Sequence, residues 1–375
     1  MPNIEPVKMP KWGLSMEEGR IVEWWAKEDQ LVKEGEDLVD IETTKITNVC
    51  EAPTDGVLRR IVAQPDQTLP VGALIAVIAG AETSDQDIDA FVSEFQQNFT
   101  PEDGADEGVA GPEIRTVDIG DQVFRVGVMG EEQDATPIVL LHGFGGDLNN
   151  WMLVQPALAD SRPVYALEMV GHGQSSKDVG DATLSTLAAK VVACIDALDI
   201  DQVVLVGHSL GAAVAIAAAE KLGSRSERLG LICPASLSGG LLNADYLDGF
   251  VEAKRARDLK GPAGLLFNSA DMVSRDMLED LVRAKRLDGA QAALTEIKNN
   301  LKGSDSAYQT LNDKLETIGV PITILACKED RIVGTPDEGL LPGNVTVSWI
   351  DSASHMPHLE HAAETIDHLR TTLFK

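Results

Sequence analysis

The sequence predicts two folded parts of different class: a small all-β sandwich at the N-terminus, then a larger α/β domain whose mostly parallel sheet is covered by helices on both faces. Three observations predict it. The first eighty residues repeat themselves at an offset of 37. From about residue 114, apolar runs of four to six residues alternate with helical stretches. Between the two, residues 81–113 carry ten Asp or Glu and no Lys or Arg. A chain of 375 residues has room for two or three domains, and 44% hydrophobic content is enough for real cores.

The sandwich is read from the repeat. Gly19 maps to Gly56, Ala26 to Ala63, Asp29-Gln30 to Asp66-Gln67, Gly35 to Gly72 and Ile41 to Ile78. GRIVEWWAKEDQLVKEGEDLVDI and GVLRRIVAQPDQTLPVGALIAVI share one apolar pattern, each reading as strand, turn, strand. Two copies are too few for a solenoid, and neither buries its apolar face alone, so the halves must pack on each other. ETTKITNVCEAPTD joins them and places Lys45 near a hairpin tip, at the end opposite the chain termini.

The acidic stretch reads as a solvated linker. Within it Ile88, Phe91, Val92, Phe95 and Phe99 fall on one face of a helix that Ser84 or Asp85 caps. That face either packs on one of the chain's own domains or docks a partner enzyme. As a flexible coil the whole segment would have an r.m.s. span of roughly 30 Å, enough for a carrier to reach the larger domain's site or a partner's.

In the larger domain, TPIVLLHGFGG and RPVYALEMVGHGQSS are buried strands followed by glycine-rich loops. LSTLAAKVVACIDAL is helical, DQVVLVGHSLGAAVAIAAAEKLG is strand, sharp turn, helix, and PITILACKED and VTVSWIDSASH are further strands. GHSLG, Gly207 to Gly211, is a G-x-S-x-G elbow in its strand–turn–helix setting, which strains Ser209 and lifts its hydroxyl off the sheet. An acid, Asp330, follows at the end of PITILACKED, and His355 follows the last strand, in the order Ser, acid, His. His355 is the side-chain type that can take a serine proton and return it near neutral pH. Asp330 would orient the ring, with Asp351 and Glu329 as rival acids. The N–H groups of Phe144, in HGFGG, and of Leu210, after the serine, are the candidate oxyanion donors. His358 and His361 follow His355 at spacings of three. They read as capping or solvating the final helix, and no metal site is expected. Helical material between about 236 and 312 reads as a cap. Its residues 251–286 hold eight Lys or Arg against six Asp or Glu, which suits either solvated helix faces or an anionic substrate such as coenzyme A.

A net charge of −29 argues against nucleic acid and anionic membranes as partners. No apolar run is long enough to span a bilayer, and MPNIEPVKMPKWG lacks the apolar core of a secretory signal. Four dispersed cysteines in apolar segments read as free thiols in a reducing cytoplasm.

Residues 1–80, through MPKWGLSMEEGRIVEW, GEDLVDIETTK and the lysine that follows Thr44, resemble a lipoyl domain of 2-oxo acid dehydrogenase-type complexes. Lys45 aligns with the lipoylated lysine. Thr44 stands where that motif most often has Asp, and biotin carriers usually flank their lysine with methionines, absent here. Residues 114–375 resemble the α/β-hydrolase superfamily along their length. The whole architecture is similar to the dihydrolipoamide acetyltransferase component of acetoin dehydrogenase complexes. That resemblance implies lipoate on Lys45, transfer of an acetyl group to coenzyme A through Ser209, Asp330 and His355, and a multi-subunit complex. Its partners would be a thiamine-diphosphate-dependent acetoin dehydrogenase component and the flavoenzyme dihydrolipoamide dehydrogenase. The usual acyltransferase motif of related complexes, H-x-x-x-D-G, is absent: no His stands four residues before any Asp-Gly pair. Two other readings stay open at this point, a serine esterase or thioesterase that carries a lipoyl domain for docking, and a scaffold in which only the carrier works.

Overall fold

The computed structural model describes residues 4–10, 18–42, 47–99, 112–235, 237, 242–269, 272–273, 275–302 and 311–374. Lys45 lies outside these residues. The chain divides into two compact units, Met1–Ala110 and Gly111–Lys375.

In the first unit, strands β1 (Ile4–Lys8), β2 (Glu18–Trp24), β3 (Gln30–Val32), β4 (Asp37–Glu42), β5 (Thr47–Glu51), β6 (Gly56–Ile61), β7 (Thr68–Pro70) and β8 (Leu74–Ala79) precede helix α1 (Asp85–Asn98). The described strands form two antiparallel four-stranded sheets, β1-β8-β6-β3 and β5-β4-β2-β7. The repeat is visible atom by atom. Asp29 N–H bonds to Leu58 O, and 37 residues on Asp66 N–H bonds to Ile21 O. Asp29 and Asp66 share a left-handed φ, at 62° and 66°, as do Gly35 and Gly72, at 83° and 82°. Each half supplies half of the core: Ile21, Leu38 and Ile41 meet Leu58, Ile75 and Ile78. Glu42 pairs with Thr47 across β4 and β5.

α1 decides between the two readings of the apolar stripe. Ser84 caps it, its side chain accepting from Asp87 N–H. Ile88 is fully buried against Leu74, Val77 and Ala79 of β8 and its end, and Phe91, Val92 and Phe95 pack on the same cluster. Arg59 pairs with Asp85 at 2.8 Å and Arg60 with Asp89 at 2.6 Å. The stripe is therefore spent on the chain's own carrier unit, and part of the acidic charge is matched there. The amphipathic helix expected within residues 81–113 is α1, and it belongs to the first unit.

In the second unit come β9 (Glu113–Ile119), β10 (Gln122–Met129), β11 (Ile138–Leu141), α2 (Gln155–Ala159), β12 (Val164–Glu168), α3 (Leu184–Ala197), β13 (Val203–His208), α4 (Leu210–Leu222) and β14 (Ser226–Ile232). Cap helices α5 (Ala244–Glu252), α6 (Ala256–Gly264), α7 (Arg275–Arg286), α8 (Ala290–Lys302) and α9 (Leu311–Thr317) follow, then β15 (Ile322–Cys327), β16 (Val345–Ile350), α10 (Pro357–Glu360) and α11 (Ala362–Leu373). The sheet order is β16-β15-β14-β13-β11-β12-β10-β9. β9 and β10 are antiparallel additions at one edge, and the rest is parallel. A parallel sheet between helix layers buries both faces, and β11, β12, β13 and β15 are buried at every residue. Helix α4, LGAAVAIAAAEKL, uses small residues to lie close against the sheet. A Cβ at Gly211 would stand 2.2 Å from Leu141 O, so only glycine fits. Site residues then gather where this fold places its loops, beyond the carboxyl ends of the strands.

Candidate active site

Ser209 sits where β13 turns into α4, with φ 54° and ψ −116°, a conformation that L-residues avoid. Backbone hydrogen bonds hold it there. Ser209 N–H donates to Ile232 O at 3.0 Å, and Ser209 O accepts from Ala235 N–H at 3.2 Å and Ala212 N–H at 3.1 Å. A Cβ on Gly143 would come within 3.2 Å of the Ser209 Cβ, so HGFGG approaches the elbow as bare backbone.

Asp330 and His355 meet. His355 Nδ1 donates to Asp330 Oδ2 at 2.8 Å, both side chains buried. Asp330 Oδ1 accepts from the N–H groups of Ile332 and Val333, at 2.8 and 3.0 Å. Burial alone would raise the Asp330 carboxyl. The His355 charge, its hydrogen bond and the two amides outweigh that and hold the pKa below the usual carboxylate value. The rivals are elsewhere: Asp351 is exposed and paired with Lys328 at 2.8 Å, and Glu329 is exposed.

His355 Nε2 and Ser209 Oγ do not hydrogen-bond each other in this arrangement, and neither has another partner among the described residues. The two residues are nonetheless neighbours. The His208 ring, adjacent to Ser209 in sequence, lies 4.7 Å from the His355 ring, and His208 Nε2 donates to His355 O at 2.8 Å. Catalytic hydrogen bonds are often long before substrate binds. The N–H groups of Phe144 and Leu210 have no acceptor among the described residues. Leu210 opens a helix, where first-turn amides have no intrahelical partner, and the helix field favours negative charge. Phe144 is fixed by Tyr246, whose hydroxyl donates to Phe144 O at 3.3 Å, and by edge-on contact with Phe250.

One sequence expectation needs correction. His358 does not cap or solvate the last helix. It is fully buried, with its ring 4.5 Å from that of His208 and 5.1 Å from that of Trp151. Its spacing from His355 looked like surface periodicity, but α10 turns it inward under the elbow. His361 does bound α11, with Nδ1 donating to Glu364 at 3.0 Å. Further residues went unseen: His142 and His172, in edge contact at 4.9 Å behind HGFGG, and Cys233, whose sulfur lies within 4.8 Å of the Asp330 and His355 ligand atoms. A buried neutral histidine has no spacing signature; only HGFGG and GHG, which flank two of them, were visible.

Several known proteins share these features. The alpha/beta hydrolase family model matches residues 138–368, and a family model described as biotin-requiring enzyme matches residues 5–78. The chain is 40% identical to the dihydrolipoyllysine-residue acetyltransferase component of the acetoin cleaving system of Pseudomonas putida, over 98% of this chain and 97% of that one. It is 38% identical to the same component from Cupriavidus necator, over 96% and 95%. Among solved structures, a meta-cleavage product hydrolase from Pseudomonas fluorescens matches with TM-score 0.61 at 18% identity, covering 69% of this chain and 97% of that one.

Proposed function

This chain belongs to the family of dihydrolipoyllysine-residue acetyltransferase components of acetoin cleaving systems, and from that membership we propose that it moves an acetyl group from a lipoyl arm on Lys45 to coenzyme A, with Ser209, His355 and Asp330 as the transfer machinery. The observation that carries this reading is the presence on one chain of an acyl-carrying domain and a serine acyl-transfer constellation. What supports the attached group is the carrier family match over residues 5–78 and the sequence around Lys45, which lies between the paired strands β4 and β5 in the chain. Lipoate supplies a dithiol that holds acetyl as a thioester.

The residues act in two half-reactions. Ser209 Oγ attacks the thioester carbonyl while His355 Nε2 takes its proton. The carbonyl oxygen becomes an oxyanion held by the Phe144 and Leu210 N–H groups. The C–S bond breaks, the departing thiol receives the proton from His355, and acetyl remains on Ser209. The coenzyme A thiol then gives its proton to His355 Nε2 as its sulfur attacks the ester carbonyl, and Ser209 leaves with that proton. Throughout, Asp330 holds Nδ1–H and stabilises the imidazolium.

The partners of this reading are a thiamine-diphosphate enzyme that loads the arm and a flavin dehydrogenase that reoxidises it. The four free, buried cysteines are what supports a reducing compartment such as the cytoplasm, and among the described residues no helix is long and apolar enough to cross a membrane. The test is acetyl transfer from acetyl-dihydrolipoamide to coenzyme A with hydrolysis followed in parallel. Acetyl-coenzyme A should form faster than acetate; acetate alone would make the chain a thioesterase. Intact mass of protein from a lipoate-competent host should show one lipoyl adduct, absent in Lys45→Ala.

A further inference from the structure

The cap carries a basic cleft in an acidic chain. The segment between α5 and α6 and the last turn of α7 enclose about 400 Å³, lined by Lys254, Arg255, Lys285 and Arg286 over a floor of Ala253 and Val282. That volume is in the range of small-ligand sites. Among the described residues, none of the four cations is in an ion pair. Two nearby carboxylates have other partners. Asp258 caps α6 by accepting from the backbone N–H groups of Lys254 and Arg255, at 3.4 and 3.1 Å, and Asp248 pairs with Lys298 at 2.9 Å and with Lys302.

Helix electrostatics account for half of this charge. Lys285 and Arg286 end α7, where cations offset the dipole. Lys254 and Arg255 stand at the start of α6, with Arg255 its N-cap, at the positive end where a cation is unfavourable. Lys285 is itself buried, with its Nζ donating to Phe250 O and Ala253 O, and burial pushes its pKa down to about 8. Asp258 acts on Lys285, but no ion pair among the described residues fixes any of the four cations, and such a cluster in a chain of net charge −29 suits an anionic ligand.

Lys285 links the cleft to the Phe144 loop through Phe250. Lys285 Nζ lies 5.1 Å from the Phe250 ring centroid, and that ring lies 5.6 Å from the Phe144 ring. A Cβ on Gly145 would touch Phe250 at 2.3 Å.

We propose that this cleft binds the phosphate groups of the nucleotide-bearing thiol that accepts the acetyl group, with Arg255, Arg286 and Lys254 as phosphate ligands and Lys285 fixing the floor against Phe250. The nucleotide end is anchored in the cap, and the thiol end extends past Phe250 and Phe144 toward Ser209. This rests on the transferase reading above, because it identifies the acceptor as coenzyme A.

The test uses the full chain and two acceptors, coenzyme A and pantetheine, which has the thiol without the nucleotide phosphates. In the double variant Arg255→Ala, Arg286→Ala, two exposed positions, the preference for coenzyme A over pantetheine, read as the ratio of kcat/KM values, should fall about tenfold to a hundredfold. Arg255→Lys, Arg286→Lys should recover part of it. Calorimetric binding of adenosine 3′,5′-bisphosphate should be measurable, should weaken with salt and should be lost in the alanine variant. An unchanged acceptor ratio, or bisphosphate binding that ignores both arginines, overturns the proposal. If acetyl passes only to water, the transferase reading falls, while the bisphosphate titration still decides whether the cleft is a phosphate site.

Discussion

At Ser209 a single backbone conformation organises the proposed site. A serine at φ 54° is strained, and the close glycine packing at Gly143 and Gly211 keeps it there. The strain presents a hydroxyl beside a histidine whose tautomer is set by its 2.8 Å bond to Asp330. Such groups act as a unit, so Ser209→Ala should reduce acetyl transfer by on the order of a thousandfold or more, and adding His355→Ala should reduce it little further. Steady-state transfer assays on the two single variants and the double variant read this directly. Near-normal transfer by Ser209→Ala would instead mean that His355 activates the acceptor thiol without a covalent acetyl-serine. These three residues were legible because motif and chain order expose them: Ser209 by GHSLG, the other two by following it in the order this fold uses. His208 and His358 were not, because nothing in their spacing distinguishes a histidine under the elbow from one on the surface.

Among the elements, α1 shows what a periodic pattern can and cannot give. Its apolar stripe was plain in the sequence, and so was the Ser84 cap, but a stripe does not name what covers it. The structure spends it on β8, with Ile88 fully buried and Arg59 and Arg60 holding Asp85 and Asp89. β9 and β10 are the converse. β9, at the sheet edge, mixes exposed and half-buried residues, and β10 beside it interrupts its apolar residues with Gln122, Arg125 and Gly127, so both lacked the continuous apolar runs that marked β11, β13 and β15. The internal repeat was the stronger guide, because a 37-residue offset constrains both halves at once, down to paired left-handed turns. If α1 is integral to the carrier unit, Ile88→Ala should destabilise that unit by about 2–4 kcal/mol through the cavity it leaves. Faster amide exchange across β8 in the full chain would register the loss. Unchanged exchange there, together with lost capture of the thiamine enzyme by a Phe91→Ser, Phe95→Ser variant, would restore the helix as a docking element.

At the scale of the molecule, the second unit concentrates neutral imidazoles where water is excluded, and this sets how it meets acid. Burial lowers the pKa of His142 to about 4, and of His172 and His358 to about 3. Burial, then the neighbouring His358 and His355, pushes His208 well below its usual value. Unfolded, each titrates near 6.5. Their folded pKa values are depressed, so the native state refuses protons that the unfolded state accepts. Stability therefore falls as pH drops below about 6.5, by about 1.4 kcal/mol per pH unit for each histidine, until the folded values near 3 to 4 are reached. Two carboxyls work the other way, and burial raises the first of them, Asp147. Burial, then Asp147, raises Glu168 to about 7, so it contributes stability that is full below its unfolded value near 4.3 and is lost as pH rises through 7. Between roughly pH 6.5 and 4.5 it offsets one of the four histidines. The depressed histidines outnumber the raised carboxyls, so the net effect is a loss of stability as pH falls below about 6.5. Urea titrations at pH 7, 6 and 5 measure the slope. His358→Phe, which removes one buried imidazole while keeping an aromatic ring against Trp151 and His208, should flatten it by about one proton. A midpoint that holds steady or rises toward pH 5, or a His358→Phe slope equal to that of the unsubstituted chain, would show that the buried histidines do not control the acid limit of this domain.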